Sequence, residues 1–398
     1  MTTFPEDFNL ADYYLFDRLK EGKGERVALR FGEREFTYDD VAERSRALAS
    51  YFVQAGVRQE ERIYTVLPDA PPFAWSLYAT FAAGCVVAMG NPHAPTKDLE
   101  YVIGYSRASV LITTDLAAQG LCEYLSGPGG RHLRAVLLVP DAATGEDAEG
   151  PVAIPDFGDA AFEVLPLTEA LKIGRRANAA LPKTKRDDLC MWLFTSGSTG
   201  RPKAAMHTHR DFAFNTEVYA KSTVGYREDD ISVSVPKLFF GYATGTNLFF
   251  PMAVGACSGL FSERPTPENL ARAIAMYKPT VITNVPTMMG KLLDHDDVLR
   301  SEGKPPVDMS AVRFQLSAGE ALPPALYERF VQRFGGEVYD GIGSAEMFHI
   351  YASNRPGDVK GGALGKVVEG YELKVLPRDA EGPGAEPVLA GEIGVLWV

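Results

Sequence analysis

Thr195, Ser196, Gly197, Ser198, Thr199, Gly200, Arg201, Pro202 and Lys203 form the densest run of chemistry-bearing residue types in the chain. Their hydroxyls, two glycines and a lysine put hydrogen-bond donors close together. The glycines let backbone N–H groups approach an anion, and the lysine adds a full positive charge. On composition alone, an ordinary Ser/Gly surface loop reads equally well. A P-loop does not fit. That motif needs G-x-x-x-x-G-K-[ST] opening a helix, whereas here Pro202 precedes Lys203 and no hydroxyl follows it.

Three more groups follow in order: Ser317, Ala318, Gly319 and Glu320; Tyr339 to Glu346, containing Asp340, Gly341, Ile342, Gly343 and Ser344; and Gly391, Glu392, Ile393 and Gly394. Taken singly, Glu346 is a solvated carboxylate and Asp340 a turn former ahead of Gly341. Taken together with the 195–203 loop, the four motifs resemble the adenylate-forming enzymes. That superfamily includes acyl-CoA synthetases, peptide-synthetase adenylation domains and luciferases. The resemblance implies that a carboxylate attacks the α-phosphate of ATP, giving an acyl-adenylate and pyrophosphate. A thiol, usually that of coenzyme A, then displaces AMP. A carboxylic acid of pKa about 4 is already ionised at neutral pH. The first step therefore needs positioning and charge neutralisation rather than a general base.

The resemblance also implies roles for individual residues. Thr195 and Ser196 to Gly200 would cradle phosphate, with Thr199 and Lys203 among the catalytic groups. Ser344 would contact the α-phosphate and Glu346 would help hold Mg²⁺. Asp340 would accept from the adenine amino group, with Ala318, Gly319, Glu320, Gly341 and Ile342 completing the nucleotide site. The aromatic run from Pro236 to Gly245, and the segment Glu346 to Ile350, look like the benzoate–CoA ligase group. A flat apolar slot for an aromatic ring is expected from Phe240, Gly241, Tyr242, Ala318, Gly343, His349 and Ile350. Pro236 and Lys237 stand where an amino-acid activator would carry an aspartate, which disfavours amino-acid substrates. Position 241 is glycine where the benzoate group tends to carry alanine, so room for an ortho substituent, as in 2-aminobenzoate, is expected. Core packing reads equally well for Phe239 and Phe249. His349 reads either as a pocket residue or as a satisfied core histidine. His207 and His209, at the start of a helix capped by Thr208 and Asp211, are expected to be exposed or near phosphate, with no assigned role.

The elements that must position these residues follow from hydrophobic period. Short β-branched runs alternate with amphipathic stretches, as in an α/β protein. Strands are expected over 27–31 and 34–37, then a helix opened by a Thr37/Asp40 capping box with Val41, Leu48 and Phe52 on one face. Further strands are expected at 63–67, 110–113, 136–139, 189–194, 231–235, 280–285 and 314–317. Helix then strand is expected over 71–89, with helices up to Tyr277 behind Thr266 and over 323–334. Residues 140–159 read as a surface excursion. The resemblance implies two stacked mixed sheets flanked by helices, with a small β region from about residue 361. It also places the division of the 1–360 core into two α/β subdomains near 175–190.

The chain has 398 residues and a formal net charge of −12, which argues against a nucleic-acid partner. Cys85, Cys122, Cys190 and Cys257 are far apart and suit reduced thiols in the cytoplasm. The N-terminus lacks a signal-peptide pattern, and residues 79–90 are too few to span a bilayer, so no membrane partner is expected. The last strand stops at Val398. The resemblance then implies a missing small C-terminal domain, with adenylation slow and thioester formation impaired in this chain. The leading expectation is an ATP-dependent aryl-CoA ligase using Mg²⁺, coenzyme A and a small aromatic carboxylic acid. The alternatives are an aryl-acid adenylation domain that loads a downstream carrier protein or synthase, and a binding-only adenylate-sequestering protein.

Overall fold

The computed structural model describes residues 3–141, 150–196 and 201–398. Among these, two large mixed sheets and a two-stranded pair make up the β structure. The larger sheet runs Lys366–Val367, Ile350–Ser353, Glu337–Gly343, Phe314–Ser317, Val281–Asn284, Ile231–Ser234, Cys257–Leu260, Val27–Phe31 and Arg34–Thr37. Its centre is parallel, from Glu337–Gly343 across to Val27–Phe31, and both flanks are antiparallel. The second sheet runs Glu163–Pro166, Ala135–Val139, Val110–Thr114, Arg62–Val66, Val86–Met89, Leu189–Ser196 and Pro202–Thr208. It is parallel except for the final hairpin.

Local chemistry explains the elements. The hairpin 27–37 turns at Gly32, whose φ of 58° is free to a residue without Cβ. Thr37 accepts from the Asp40 N–H at 3.1 Å and Asp40 accepts from the Thr37 N–H at 3.0 Å, closing the expected capping box on the helix Tyr38–Gln54. Val41, Leu48 and Phe52 of that helix are fully buried. The helix Pro71–Ala82 is buried along its whole length, as an all-round apolar helix must be. One continuous core contains Leu29 and Phe314 from the larger sheet, Ile63 and Leu137 from the second, and Phe73 and Phe81 from this helix.

The second sheet continues past 175–190 to Thr208, while the hairpin 27–37 joins the larger sheet, so the sheets interleave along the chain. Lys366–Val367 also belongs to the larger sheet; the separate pair is Lys374–Leu376 with Val395–Trp397. No helix among the described residues is long and apolar enough to cross a membrane.

Candidate active site

The parallel strands Val281–Asn284, Phe314–Ser317 and Glu337–Gly343 present their carboxyl ends together, where ligands bind in open α/β sheets. Ser317 and Asp340 are register partners there, and the Ser317 hydroxyl donates to Asp340 Oδ1 at 2.8 Å. Burial raises the Asp340 carboxyl above its ordinary value, with Ser317 and a backbone N–H pulling the other way. The glycines of this strand admit its antiparallel neighbour: a Cβ at Gly343 would lie 2.4 Å from the His349 carbonyl oxygen.

A cavity of about 240 Å³ opens beside these ends. Phe240, Gly241, Tyr242, Ala318, Gly343, His349 and Ile350 all line it, so the seven residues expected to form the slot are neighbours. Gly319 and Ser344 lie on the same wall. Leu193, Phe194, Phe239, Ala345 and Phe348 complete it. Leu193 and Phe194 were not anticipated; the one available signal was their position as the last apolar residues before the 195–203 loop. Phe239 is half-buried at the cavity, whereas Phe249 is core and stacks on Tyr14 with ring centroids 4.5 Å apart.

Among the described residues, two polar atoms on this wall have no hydrogen-bond partner. Tyr242 Oη and His349 Nδ1 are both buried without a hydrogen bond. His349 Nε2 lies 3.0 Å from the Tyr242 carbonyl, which can only accept, so Nε2 carries the proton and Nδ1 presents a bare lone pair. Burial pushes the His349 pKa down to about 3, keeping the ring neutral. Gly245 makes space for it, since a Cβ there would sit 2.6 Å from His349 Cδ2.

Phe239 and Phe240 also face a second cavity of about 770 Å³, lined by Asp69, His93, Lys237 and Arg264 among others. Lys237 is buried; its Nζ donates to the Phe261 carbonyl at 2.6 Å and lies over the Phe261 ring. Asp69 accepts from the Leu238 N–H at 2.8 Å, and burial raises its pKa to about 6.

The family model for the AMP-binding enzyme matches residues 16–398. The chain belongs to the AMP-binding enzyme family. It is 34% identical over 395 residues to a benzoate–CoA ligase of Thauera aromatica, covering 99% of this chain and 69% of that protein. Among solved structures it resembles the anthranilate CoA ligase AuaEII in complex with anthranoyl-AMP, with a TM-score of 0.84 and 29% identity, over 99% of this chain and 69% of that one. A benzoate CoA ligase from Burkholderia xenovorans LB400 gives a TM-score of 0.79 at 31% identity, over 98% and 71% of the two chains.

In this AMP-binding enzyme, Gly197 to Gly200 of the expected phosphate loop, Thr199 included, lie outside the described residues, as does the Ser196 side chain. The flanks are placed: Thr195 pairs with Lys203 across the antiparallel hairpin, and Lys203 is exposed. Glu320 is exposed, and its carboxylate accepts from the Thr287 N–H at 3.2 Å and hydroxyl at 2.6 Å. Its side chain therefore caps the helix Pro286–Ser301. Glu346 is exposed, and no group of three or more His, Cys, Asp or Glu gathers among the described residues. Mg²⁺ is usually held by one or two carboxylates plus substrate phosphates, so an exposed glutamate outside any such group suits an ion that arrives with a nucleotide.

His207 and His209 correct the sequence expectation. Both are buried. His209 Nδ1 accepts from the Leu10 N–H at 3.2 Å, and burial lowers its pKa to about 4. His207 Nε2 lies 2.6 Å from the Ala345 carbonyl oxygen.

Proposed function

We infer that this AMP-binding enzyme is an ATP-dependent aryl-CoA ligase that activates a benzoate-type acid, with 2-aminobenzoate the preferred ring. The observation that carries the reading is the aromatic-walled cavity beside Ser344. At about 240 Å³ it is smaller than the roughly 300–1,000 Å³ of sites for drug-sized ligands, which favours a single ring over an acyl chain. The unpartnered Tyr242 Oη and His349 Nδ1 support the 2-amino group, because an aromatic amine brings two N–H donors. Leaving such buried atoms unpaired costs about 1–3 kcal/mol each.

On this reading, the acid's carboxylate oxygen attacks the α-phosphorus and the bond to pyrophosphate breaks. The sulfur of coenzyme A then attacks the acyl carbon, the bond to AMP breaks, and the thiol proton goes to solvent. Ser344 holds the α-phosphate, Asp340 accepts from the adenine amino group, Lys203 serves the outer phosphates, and Glu346 would help hold Mg²⁺. When bound, Mg²⁺ neutralises charge developing on the phosphates. The Phe239–Phe240 wall shields the ring from the larger cavity.

The test is thermal stabilisation of the chain by non-hydrolysable benzoyl, 2-aminobenzoyl, 4-hydroxybenzoyl and lauroyl adenylate analogues. At 100 times its dissociation constant a ligand adds about 2.7 kcal/mol. The expected order has 2-aminobenzoyl first and benzoyl second. A flat response, or lauroyl first, overturns the reading.

A further inference from the structure

The mechanism above leaves two buried histidines, His207 and His209, without a task. His207 lies near the end of the strand Pro202–Thr208, which leaves the 195–203 loop. Its Nε2 sits 2.6 Å from the carbonyl oxygen of Ala345, the residue between Ser344 and Glu346. A carbonyl only accepts, so Nε2 carries the proton and donates. On the other side of the ring, Nδ1 stands 3.7 Å from Asp211 Oδ2. Asp211 is fixed in turn by the Thr208 N–H at 2.8 Å. The imidazole packs edge-on against Phe212 with centroids 5.2 Å apart.

The receiving loop is short and tight. Gly343 and Ile350 pair at its base, and the Ser344 N–H donates to the His349 carbonyl at 3.3 Å. The Ala345 carbonyl also accepts from the Phe348 N–H at 3.1 Å. Phe348 holds a φ of 67°, a left-handed conformation that costs a side-chain-bearing residue energy, and its ring lies 4.3 Å from that of Phe212. The peptide unit is planar, so the Ala345 carbonyl and the Glu346 N–H share one rigid plane. Fixing that oxygen fixes the plane from which the Glu346 side chain departs.

We propose that His207 is a positioning residue, a strut that sets the Ser344–Glu346 loop of the larger sheet against the hairpin of the second sheet that bears Lys203. The proposal rests on the nucleotide-binding reading above. In its terms, the strut fixes how far the α-phosphate and metal contacts stand from the groups that receive the outer phosphates. A misplacement of about 1 Å in such an arrangement carries a large penalty.

The test titrates the chain with a non-hydrolysable ATP analogue at varied Mg²⁺, and separately with adenosine. His207→Ala is expected to weaken the ATP analogue about tenfold, the worth of one well-made hydrogen bond. It should also raise the Mg²⁺ needed for half-saturation, with adenosine affinity kept within about twofold. His207→Gln, whose amide N–H can reach the same carbonyl, should recover most of the loss. His207→Leu keeps bulk against Phe212 without a donor, replaces the alanine variant if that fails to fold, and should show the same deficit. An unchanged Mg²⁺ requirement, an equal loss for adenosine, or a glutamine variant no better than leucine overturns the proposal. A wild-type chain that does not bind the ATP analogue overturns the functional reading itself, a separate result from wild-type binding that His207 substitutions leave intact.

Discussion

A Cβ added at Gly241 would meet Leu193 Cδ1 at 3.1 Å and Cδ2 at 3.4 Å, and both residues line the cavity of about 240 Å³. The added methyl must push Leu193 or be pushed, and either way the slot narrows. Gly241→Ala should therefore lower affinity for the 2-aminobenzoyl analogue about tenfold relative to the benzoyl analogue, within the range one methyl commands in an apolar pocket. Competition binding of the two analogues measures the ratio, and an unchanged ratio removes Gly241 from the specificity argument. That Gly241, Tyr242, His349 and Ile350 lie together was legible because they belong to two short motifs, and all four line one cavity. Leu193 and Phe194 were not, because they come from the other sheet and only the fold brings them to the cavity. The burial of His207 and His209 was hidden for a related reason. A histidine beside a phosphate-type loop reads as polar surface until the partners Ala345 and Leu10, distant in sequence, are in place.

Three parallel strands of the larger sheet are tied at the ends opposite the site. Asp230 precedes Ile231–Ser234, Thr280 precedes Val281–Asn284, and Arg313 precedes Phe314–Ser317. The Asp230 carboxylate, almost fully buried, accepts from the Thr280 hydroxyl at 2.6 Å and from Arg313 at 2.9 and 2.6 Å. It also accepts from the Arg227 N–H at 2.7 Å. One carboxylate thus gathers the starts of the strands whose other ends carry Asn284 and Ser317. Asp230→Ala strands a partly buried guanidinium and should cost about 3–5 kcal/mol in urea unfolding. A loss below about 1 kcal/mol would mean that the register is held by the sheet alone. At this scale the hairpin 27–37, its capping box and the helix Pro267–Tyr277 were legible from local residues, since turn, cap and period are local signals. The π-helical stretches Thr216–Val224 and Gly245–Phe249 were not, because a widened turn answers to packing around it. Nor was the strand Pro202–Thr208, whose leading proline reads as a loop but is tolerated at an edge.

For the whole molecule, buried titratable groups set the acid limit. His349 and His209 have pKa values depressed to about 3 and about 4, against 6.5 for the free side chain. Between those values the unfolded chain takes up protons that the native chain refuses, so stability falls as pH drops below about 6.5. Asp69 works in the opposite sense. Its raised pKa of about 6 lets the native state hold a proton that the unfolded state has released, so it adds stability as pH falls from about 6 toward 4. From pH 7 to pH 5 each histidine costs about 2 kcal/mol and Asp69 returns about 1 kcal/mol. His209→Asn, at a position outside the cavity of about 240 Å³, should flatten the pH 7-to-5 decline by about 2 kcal/mol in urea unfolding, whatever its effect at pH 7. A slope identical to wild type would show that His209 stays protonatable in the fold.

The strand Val27–Phe31 takes Cys257–Leu260 as its parallel neighbour, with Leu29 opposite Ser258. During synthesis the early hairpin must therefore wait for a partner made more than two hundred residues later. At about 5–20 residues per second, that wait is on the order of ten seconds or more. Through that interval Val27–Phe31 has an open pairing edge, the kind of surface that recruits other nascent chains. The larger sheet then closes by capturing a segment already made, and its assembly is a late step dominated by long-range contacts, the type that slows folding most. Expression at lower temperature, or with a chaperone that covers extended segments, should raise the soluble yield of this chain more than it raises that of a protein whose strands pair in sequence order.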